Sequence, residues 1–418
     1  MQQAGGSTHI HIERYQQGVE MLFVSAKQKV PIILCSILIL LSMFSYASAI
    51  EEGDKIYLGE ARKIKSAILN EERTVLVYTP EGYDQSDDSY PVLYLLDGTQ
   101  HFHHVTGIAQ YLAARNLISP LIVVAIANTD RTRDFSPTVD STSPATMASA
   151  GGADNFIAFI DQELKPFIDK NYRTADYRIL VGHSFGGLFA VYTLFKYPEL
   201  FDAVIAVSAT YWWDNLLLQK MASKYLDEHD SFNKFLYMTM GTEGEQMTTS
   251  GQSFADMLSL KAPADFVWEY RTMPAENHGS IPHRSIYDGL EKLYQGWTVP
   301  VDLLAGNYFD VENHYKELSR KFGYDIPIPE NIINQMGYLA LGANRDEKAI
   351  ALFRKNIELH PNSANVYDSM GEGYEAMGDY HNAAKFYRTA VEKGEANNDP
   401  LIHIFRQHLE NASLKVSN

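Results

Sequence analysis

Apolar residues along this chain gather in short dense runs, separated by stretches where they recur every three or four positions. The runs are Val75-Leu76-Val77-Tyr78, Tyr90 to Leu96, Leu121 to Ala127, Tyr177 to Val181, Ala203 to Ser208, Phe235 to Met240 and Phe266 to Tyr270. Each is short, and most are rich in β-branched or aromatic residues, so each predicts a strand. Where no polar alternation interrupts the run, the strand is expected to be buried on both faces. Between the runs, Val105 to Ala114 and Phe156 through Leu164 to Ile168 carry helical spacing, and Leu188 to Phe195 begins another helix. Strands alternating with helices predict a mainly parallel sheet covered by helices on both sides, ending near Val299-Pro300.

The pattern then changes. Leu303 to Phe322 reads as helix, and Pro327 with Pro329 marks a boundary. Gly337, Ala349 and Phe353 recur 34 positions later as Gly371, Ala383 and Tyr387; Ala340 returns as Tyr374, and Pro361 ends the first unit. Small residues at that period let paired helices approach closely, which is the tetratricopeptide pattern. The expected organisation is an α/β domain over 50–300, a helical linker over 301–328, two tetratricopeptide repeats over 329–394 and a capping helix over 395–418. Two repeats fall short of the ~3 that stand alone, so they are expected to pack on flanking helices or on the α/β domain. They offer a surface for a protein partner or for self-association.

The first 49 residues read differently again. Lys27 and Lys29 precede the apolar core Val30 to Leu41, and Ala47-Ser48-Ala49 follows. A positive flank, a core shorter than the ~20 residues of a membrane span, and a small-residue site predict a signal peptide cut after Ala49. Translation is expected to start at Met21, giving a leader of ordinary length. The product is then periplasmic or secreted, with no membrane anchor after cleavage. Cys35, the one cysteine, leaves with the leader. Bulky Leu34 beside it argues against a lipoprotein. A chain without cysteine excludes disulfides, cysteine metal sites and a cysteine nucleophile. The net charge of −17 is spread along 418 residues and no Lys/Arg run appears, which argues against nucleic acid as partner.

The candidate chemistry lies at Gly182-His183-Ser184-Phe185-Gly186-Gly187, between a predicted strand and a predicted helix. G-x-S-x-G in that setting is a nucleophile elbow. The glycines permit a sharp strand-to-helix turn that exposes the Ser184 hydroxyl, and the Phe185 N–H faces the same space as an oxyanion donor. Serine needs a base, and the base needs an orienting acid. In the order serine, acid, histidine, the acid falls in Gly241-Thr242-Glu243-Gly244-Glu245, with Glu243 expected and Glu245 the alternative. The base falls in Glu276-Asn277-His278-Gly279-Ser280, with His278 preferred over His283. The second oxyanion donor is expected at Gly98, or at neighbouring Thr99, after an early strand. Arg131 and Arg133, in a loop after another strand, are candidates for an anionic substrate, with internal Arg–Asp pairing as the alternative. Tyr211, Trp212 and Trp213 are candidates for an aromatic pocket wall, with core packing as the alternative. The mechanism calls for no metal and no organic cofactor.

From Lys55 to Val299 the chain resembles the esterase D-type esterases of the α/β-hydrolase fold. The matching segments are Val92 to Gly98, Asn128 to Asp134, Gly182 to Gly187, Ser208 to Trp213 and Asn277 to Ser280. That group includes enterochelin, bacillibactin and feruloyl esterases and S-formylglutathione hydrolase. The resemblance implies hydrolysis of a small-molecule carboxylic ester through Ser184 and His278, with siderophore lactones as one substrate class. Feruloyl- or acetyl-type carbohydrate esters are the alternative. A binding scaffold that uses its repeats and carries a vestigial hydrolase is the alternative of another class.

Overall fold

The structure, a computed structural model, describes residues 57–139 and 147–417. The leader, with its expected cleavage site, Met21 start and Cys35, lies outside the described residues. Eight strands form one sheet in the order β1-β2-β4-β3-β5-β6-β7-β8. They are β1 (Glu60–Ser66), β2 (Glu71–Tyr78), β3 (Tyr90–Leu95), β4 (Ile122–Ile126), β5 (Thr174–His183), β6 (Ala203–Val207), β7 (Phe235–Gly241) and β8 (Val267–Met273). The first two strands run antiparallel to their neighbours, and β4, β3, β5, β6, β7 and β8 run parallel. This is the α/β-hydrolase arrangement.

Every residue of β3, β4, β6 and β7 is buried, as expected for parallel strands with helices on both faces. Each large aliphatic or aromatic side chain there contributes roughly 1.5–3 kcal/mol by leaving water. β1 was not anticipated. Its sequence, EARKIKS, has no apolar run because it is an edge strand with mostly exposed side chains, and pairing with β2 rather than its own pattern defines it.

The helices over the sheet are α1 (Gly98–Ala114), α2 (Arg131–Phe135), α3 (Ala153–Phe159), α4 (Lys165–Asn171), α5 (Phe185–Lys196), α6 (Trp213–Glu228), α7 (Glu245–Lys261) and α8 (Ile281–Leu293). A π-helical turn, Ile160–Leu164, joins α3 to α4. Helix α1 starts seven residues before the predicted Val105. The polar, histidine-rich first turns, Gln100-His101-Phe102-His103-His104, mask its period. The Arg131 segment is a short helix capped by Asp130, whose side chain accepts from the Arg133 N–H, rather than the expected open loop.

The C-terminal region is all helical: α9 (Val301–Ala305), α10 (Tyr308–Phe322), α11 (Glu330–Gly342), α12 (Asp346–Leu359), α13 (Asn365–Ala376), α14 (Tyr380–Asn397) and α15 (Ile402–Val416). The described chain divides into two compact units, 57–339 with 347–361, and 340–346 with 362–417. The larger unit therefore keeps the sheet together with α9, α10 and α12. Within it, Phe322 of α10 meets Tyr177, Tyr294 and Trp297 at ring distances of 5.0, 4.9 and 5.9 Å. In the smaller unit α14 packs on α13 and α15. No helix among the described residues is long and apolar enough to cross a membrane.

Candidate active site

The elbow begins where β5 ends. Ser184 has φ 61° and ψ −117°, a strained conformation that the surroundings must enforce. A Cβ at Gly182 would lie 2.1 Å from the Gly186 carbonyl oxygen, and one at Gly187 would lie 2.7 Å from the Ala209 Cβ. Glycine is required at Gly182 because the chain turns back on itself within five residues, and at Gly187 because α5 starts against the segment that follows β6. The Ser184 N–H donates to the Val207 carbonyl at 2.9 Å, and its own carbonyl accepts from the Leu188 N–H at 3.0 Å. The turn is thus tied to β6 on one side and to α5 on the other.

His278 lies just after β8, in the loop leading into α8. Its Nδ1 is 2.8 Å from Glu243 Oε2. The Glu243 side chain is 4% exposed and that of His278 is 45% exposed, so the carboxylate is buried behind a ring that reaches solvent. The other Glu243 oxygen accepts from the Ser208 hydroxyl and, at 3.3 Å, from the Gly241 N–H. Burial alone would raise this carboxyl pKa, but the hydrogen bonds from His278 and Ser208 outweigh it and the pKa is lowered. Glu243 is therefore ionised when it faces the imidazole. Glu245 opens α7 and is exposed. Of the two glutamates, the geometry pairs Glu243 with His278. His278 also touches His183, the residue before Ser184, at a ring distance of 4.5 Å.

Gly98 and Phe185 are the first residues of α1 and α5. The first N–H groups of a helix have no intrahelical acceptor, and the helix dipole adds partial positive charge there. Thr99, exposed, is the second residue of α1. A Cβ on Gly98 would lie 2.6 Å from the Ala125 backbone, so glycine is needed for the start of α1 to rest on β4. Asp97, before it, is 2% exposed and has φ 54°.

The five residues expected to contact substrate all have partners within the protein. Arg131 donates from Nε and Nη2 to the two Asp97 oxygens at 2.6 and 3.0 Å, and from Nη2 to the His183 carbonyl at 3.0 Å. Arg133 donates to Glu71 at 2.7 Å and to Asp134 at 2.8 Å. The Arg133 hydrogen bond, with help from Arg73, overrides burial and pulls the Glu71 carboxyl down to about 2. Both arginines have internal acidic partners, the pairing that the sequence left as the alternative. Tyr211 and Trp213 are core residues at 1% and 0% exposure. Tyr211 stacks on Phe254 at 4.9 Å, and Trp213 meets the Phe185 ring edge-on at 5.2 Å. Trp212 is partly buried and donates from Nε1 to the Met247 sulfur at 3.1 Å. A tryptophan pair after a strand has the same pattern whether it faces core or cleft, so the sequence left both readings open.

The structure adds further neighbours of these residues. Ser208 directly follows β6 and reaches Glu243 because β6 and β7 are neighbours. Four histidines continue from His278: His183, His101, His104 and His283, with successive ring distances of 4.5, 5.9, 5.1 and 5.4 Å. Burial, aided by neighbouring imidazoles, lowers His183 and His104 to about 4. They are neutral rings beside His278 rather than competing cations. Among the described residues one group gathers three metal-type ligand atoms, Asp368, Glu372 and His408. It belongs to the smaller helical unit, and there His408 Nδ1 lies 3.0 Å from both Asp368 oxygens as an ion pair.

The chain is similar to known proteins. The model of the family described as "Putative esterase" matches residues 66–282. The Aspergillus fumigatus siderophore triacetylfusarinine C esterase is 32% identical over 149 residues, 33% of this chain and 50% of that protein. The ferri-bacillibactin esterase BesA of Bacillus subtilis is 30% identical over 215 residues, 46% of this chain and 74% of that protein. The chain thus spans half the length of the fungal relative and about three quarters of the bacterial one. A crystallised IroE-like serine hydrolase from Shewanella oneidensis is 28% identical, with a TM-score of 0.65 over 72% of this chain and 99% of that one. The family model covers more than half of the chain and includes the elbow, Glu243 and His278: the chain belongs to the "Putative esterase" family.

Proposed function

We propose that this protein is an exported serine esterase that hydrolyses siderophore-type carboxylic esters through Ser184, His278 and Glu243. The observation that carries the reading is the 2.8 Å contact between His278 Nδ1 and the buried Glu243 carboxylate, in a ring packed against the residue next to a strained Ser184. In the proposed reaction His278 Nε2 removes the Ser184 proton as Oγ attacks the ester carbonyl. Glu243 holds the Nδ1–H tautomer and stabilises the imidazolium. The Gly98 and Phe185 N–H groups receive the oxyanion. The proton then passes from His278 to the leaving alkoxide, and the alcohol departs. Water, deprotonated by the same ring, attacks the acyl-enzyme and frees the acid and Ser184.

The siderophore class is supported by the printed names of the fungal and bacterial relatives. Export is supported by the residue pattern of the leader. The helical region is proposed to be two tetratricopeptide repeats that take a protein partner or pair with a second copy. A Cβ at Gly337 would meet the Phe353 ring at 2.3 Å, and one at Gly371, 34 residues on, would meet the Tyr387 ring at 2.5 Å. The recurrence of one tight helix contact at that spacing supports the reading.

The test is turnover by wild type and Ser184→Ala on p-nitrophenyl esters, then on a panel of siderophore trilactones, feruloyl esters, acetylated sugars and acyl-thioesters. The expected result is Ser184-dependent hydrolysis with the highest kcat/KM on the trilactones. Turnover unaffected by Ser184→Ala, or none in the wild type, would refute the esterase. Preference for feruloyl or acetyl sugar esters would replace only the substrate class.

A further inference from the structure

We propose that Arg131 is a positioning residue for the oxyanion hole, clamping the segment that carries Gly98 to the turn that carries Ser184 and Phe185. The inference rests on the ester-hydrolysis reading above.

The two donors come from distant parts of the chain. Gly98 follows β3 and Phe185 follows β5, and an oxyanion hole functions only if both N–H groups converge on one atom position to within a few tenths of an ångström. Adjacent strands bring the two segments close, but the backbone at Asp97 is in the left-handed region at φ 54°, which a non-glycine residue keeps only when its surroundings hold it there. The buried Asp97 carboxylate accepts from Asn128 Nδ2 at 2.6 Å, from Arg131 Nε at 2.6 Å and from Arg131 Nη2 at 3.0 Å.

The same Arg131 Nη2 donates to the carbonyl of His183, the residue before the nucleophile, at 3.0 Å. One planar guanidinium therefore bonds the residue before each of the two segments. Its rigid fork fixes their separation in a way that a lysine point charge does not. The contact continues on the elbow side. A Cβ on Gly186 would lie 3.3 Å from Asp97 Oδ2, so the absence of a side chain there leaves room for the carboxylate under the turn. The Arg131 Cζ lies 5.8 Å from the Phe185 ring centroid and 5.4 Å from that of Phe135, within the reach of a cation–π contact. The side chain of Arg131 is 34% exposed while that of Asp97 is 3% exposed. A substrate ligand and a clamp are thus distinct roles for this arginine, and kinetics separates them.

The experiment compares full-length wild type, Arg131→Lys, Arg131→Ala and Asp97→Asn on an uncharged p-nitrophenyl ester. It records kcat, KM, melting temperature and inhibition by a boronic acid that forms a tetrahedral adduct with Ser184. Misplacing a donor by about 1 Å is expected to lower kcat about 10- to 100-fold in each variant, with KM within about 3-fold of wild type. Boronate affinity is expected to fall in parallel, and added guanidinium to restore part of the rate to Arg131→Ala but not to Arg131→Lys.

If Arg131→Ala does not fold, Arg131→Lys decides: wild-type kcat in that variant overturns the clamp. A rise in KM at unchanged kcat also overturns it and makes Arg131 a substrate ligand. The outcomes stay separable from those of the function itself. Absence of Ser184-dependent turnover in the wild type sinks the esterase reading, whereas Ser184-dependent turnover that is insensitive to Arg131 sinks only the clamp.

Discussion

Glu243 and Glu245 are two residues apart in one glycine-rich loop, yet one is buried against His278 and the other opens a helix in solvent. Glu243→Gln is therefore expected to lower kcat about 10²- to 10³-fold by removing the acceptor that fixes the imidazole tautomer, with Glu245→Gln within about 2-fold of wild type. Steady-state kinetics on one chromogenic ester checks both. Acid sensitivity belongs to the same scale. His183 and His104 stay neutral in the folded protein down to about pH 4, whereas in the unfolded chain a histidine protonates near 6.5. Between those values the unfolded state binds more protons, so their contribution to stability is full above about pH 6.5 and is lost as the pH falls toward 4. The loss is on the order of 1–2 kcal/mol for each ring, given its partial exposure. Urea unfolding at pH 7 and pH 5 is expected to show a smaller drop in His183→Gln than in wild type. An equal drop would assign the sensitivity to other groups.

At the scale of elements, the helical region turns on two glycine–aromatic contacts. A methyl group at Gly371 would press 2.5 Å from the Tyr387 ring, so Gly371→Ala is expected to cost about 1–3 kcal/mol through overpacking between α13 and α14. Adding Tyr387→Leu to Gly371→Ala should recover part of that loss, as measured by thermal unfolding. Additive destabilisation in the double variant would disprove the packing account. The elements themselves were unequally legible. The buried strands β3, β4, β6 and β7 announce themselves as apolar runs because both of their faces are covered. The edge strand β1 and the first turns of α1 do not, because one is held by its neighbour's backbone and the other is rich in histidines. Gly337 and Gly371 stand 34 positions apart in the sequence, and each lies against an aromatic ring of the next helix.

For the whole molecule, the compact unit that holds the sheet does not end near Val299-Pro300 but continues into the helices beyond it. Phe322 of α10 packs among Tyr177, Tyr294 and Trp297, Lys321 Nζ donates to the Leu293 carbonyl at 3.0 Å, and Tyr324 Oη donates to Ser119 Oγ at 3.3 Å. A chain stopped at 300 would expose that aromatic cluster, while one stopped at 361 keeps every residue of the larger unit. The shorter chain is expected to be insoluble or destabilised by more than about 3 kcal/mol, the cost of uncovering large aromatics. The longer chain is expected to retain ester turnover. Expression of both, followed by circular dichroism and kinetics, checks this. A soluble chain of wild-type stability ending at 300 would show α10 to be dispensable.

The sequence by itself determined the parts of this protein that rest on local rules. These are the strand–turn–helix at Ser184, the layered α/β class and the helical character of the region beyond it. Turn chemistry and side-chain periodicity act over a few residues, so a few residues suffice to read them. Only the tertiary structure decided which glutamate stands behind His278, that Ser208 supports it, that Arg131 and Arg133 pair with acidic side chains, and that Tyr211 and Trp213 lie in the core. Those assignments depend on which strands are neighbours and on which side of a chain is covered. A charged or aromatic side chain has the same sequence signature whether its partner is a substrate or a residue fifty positions away.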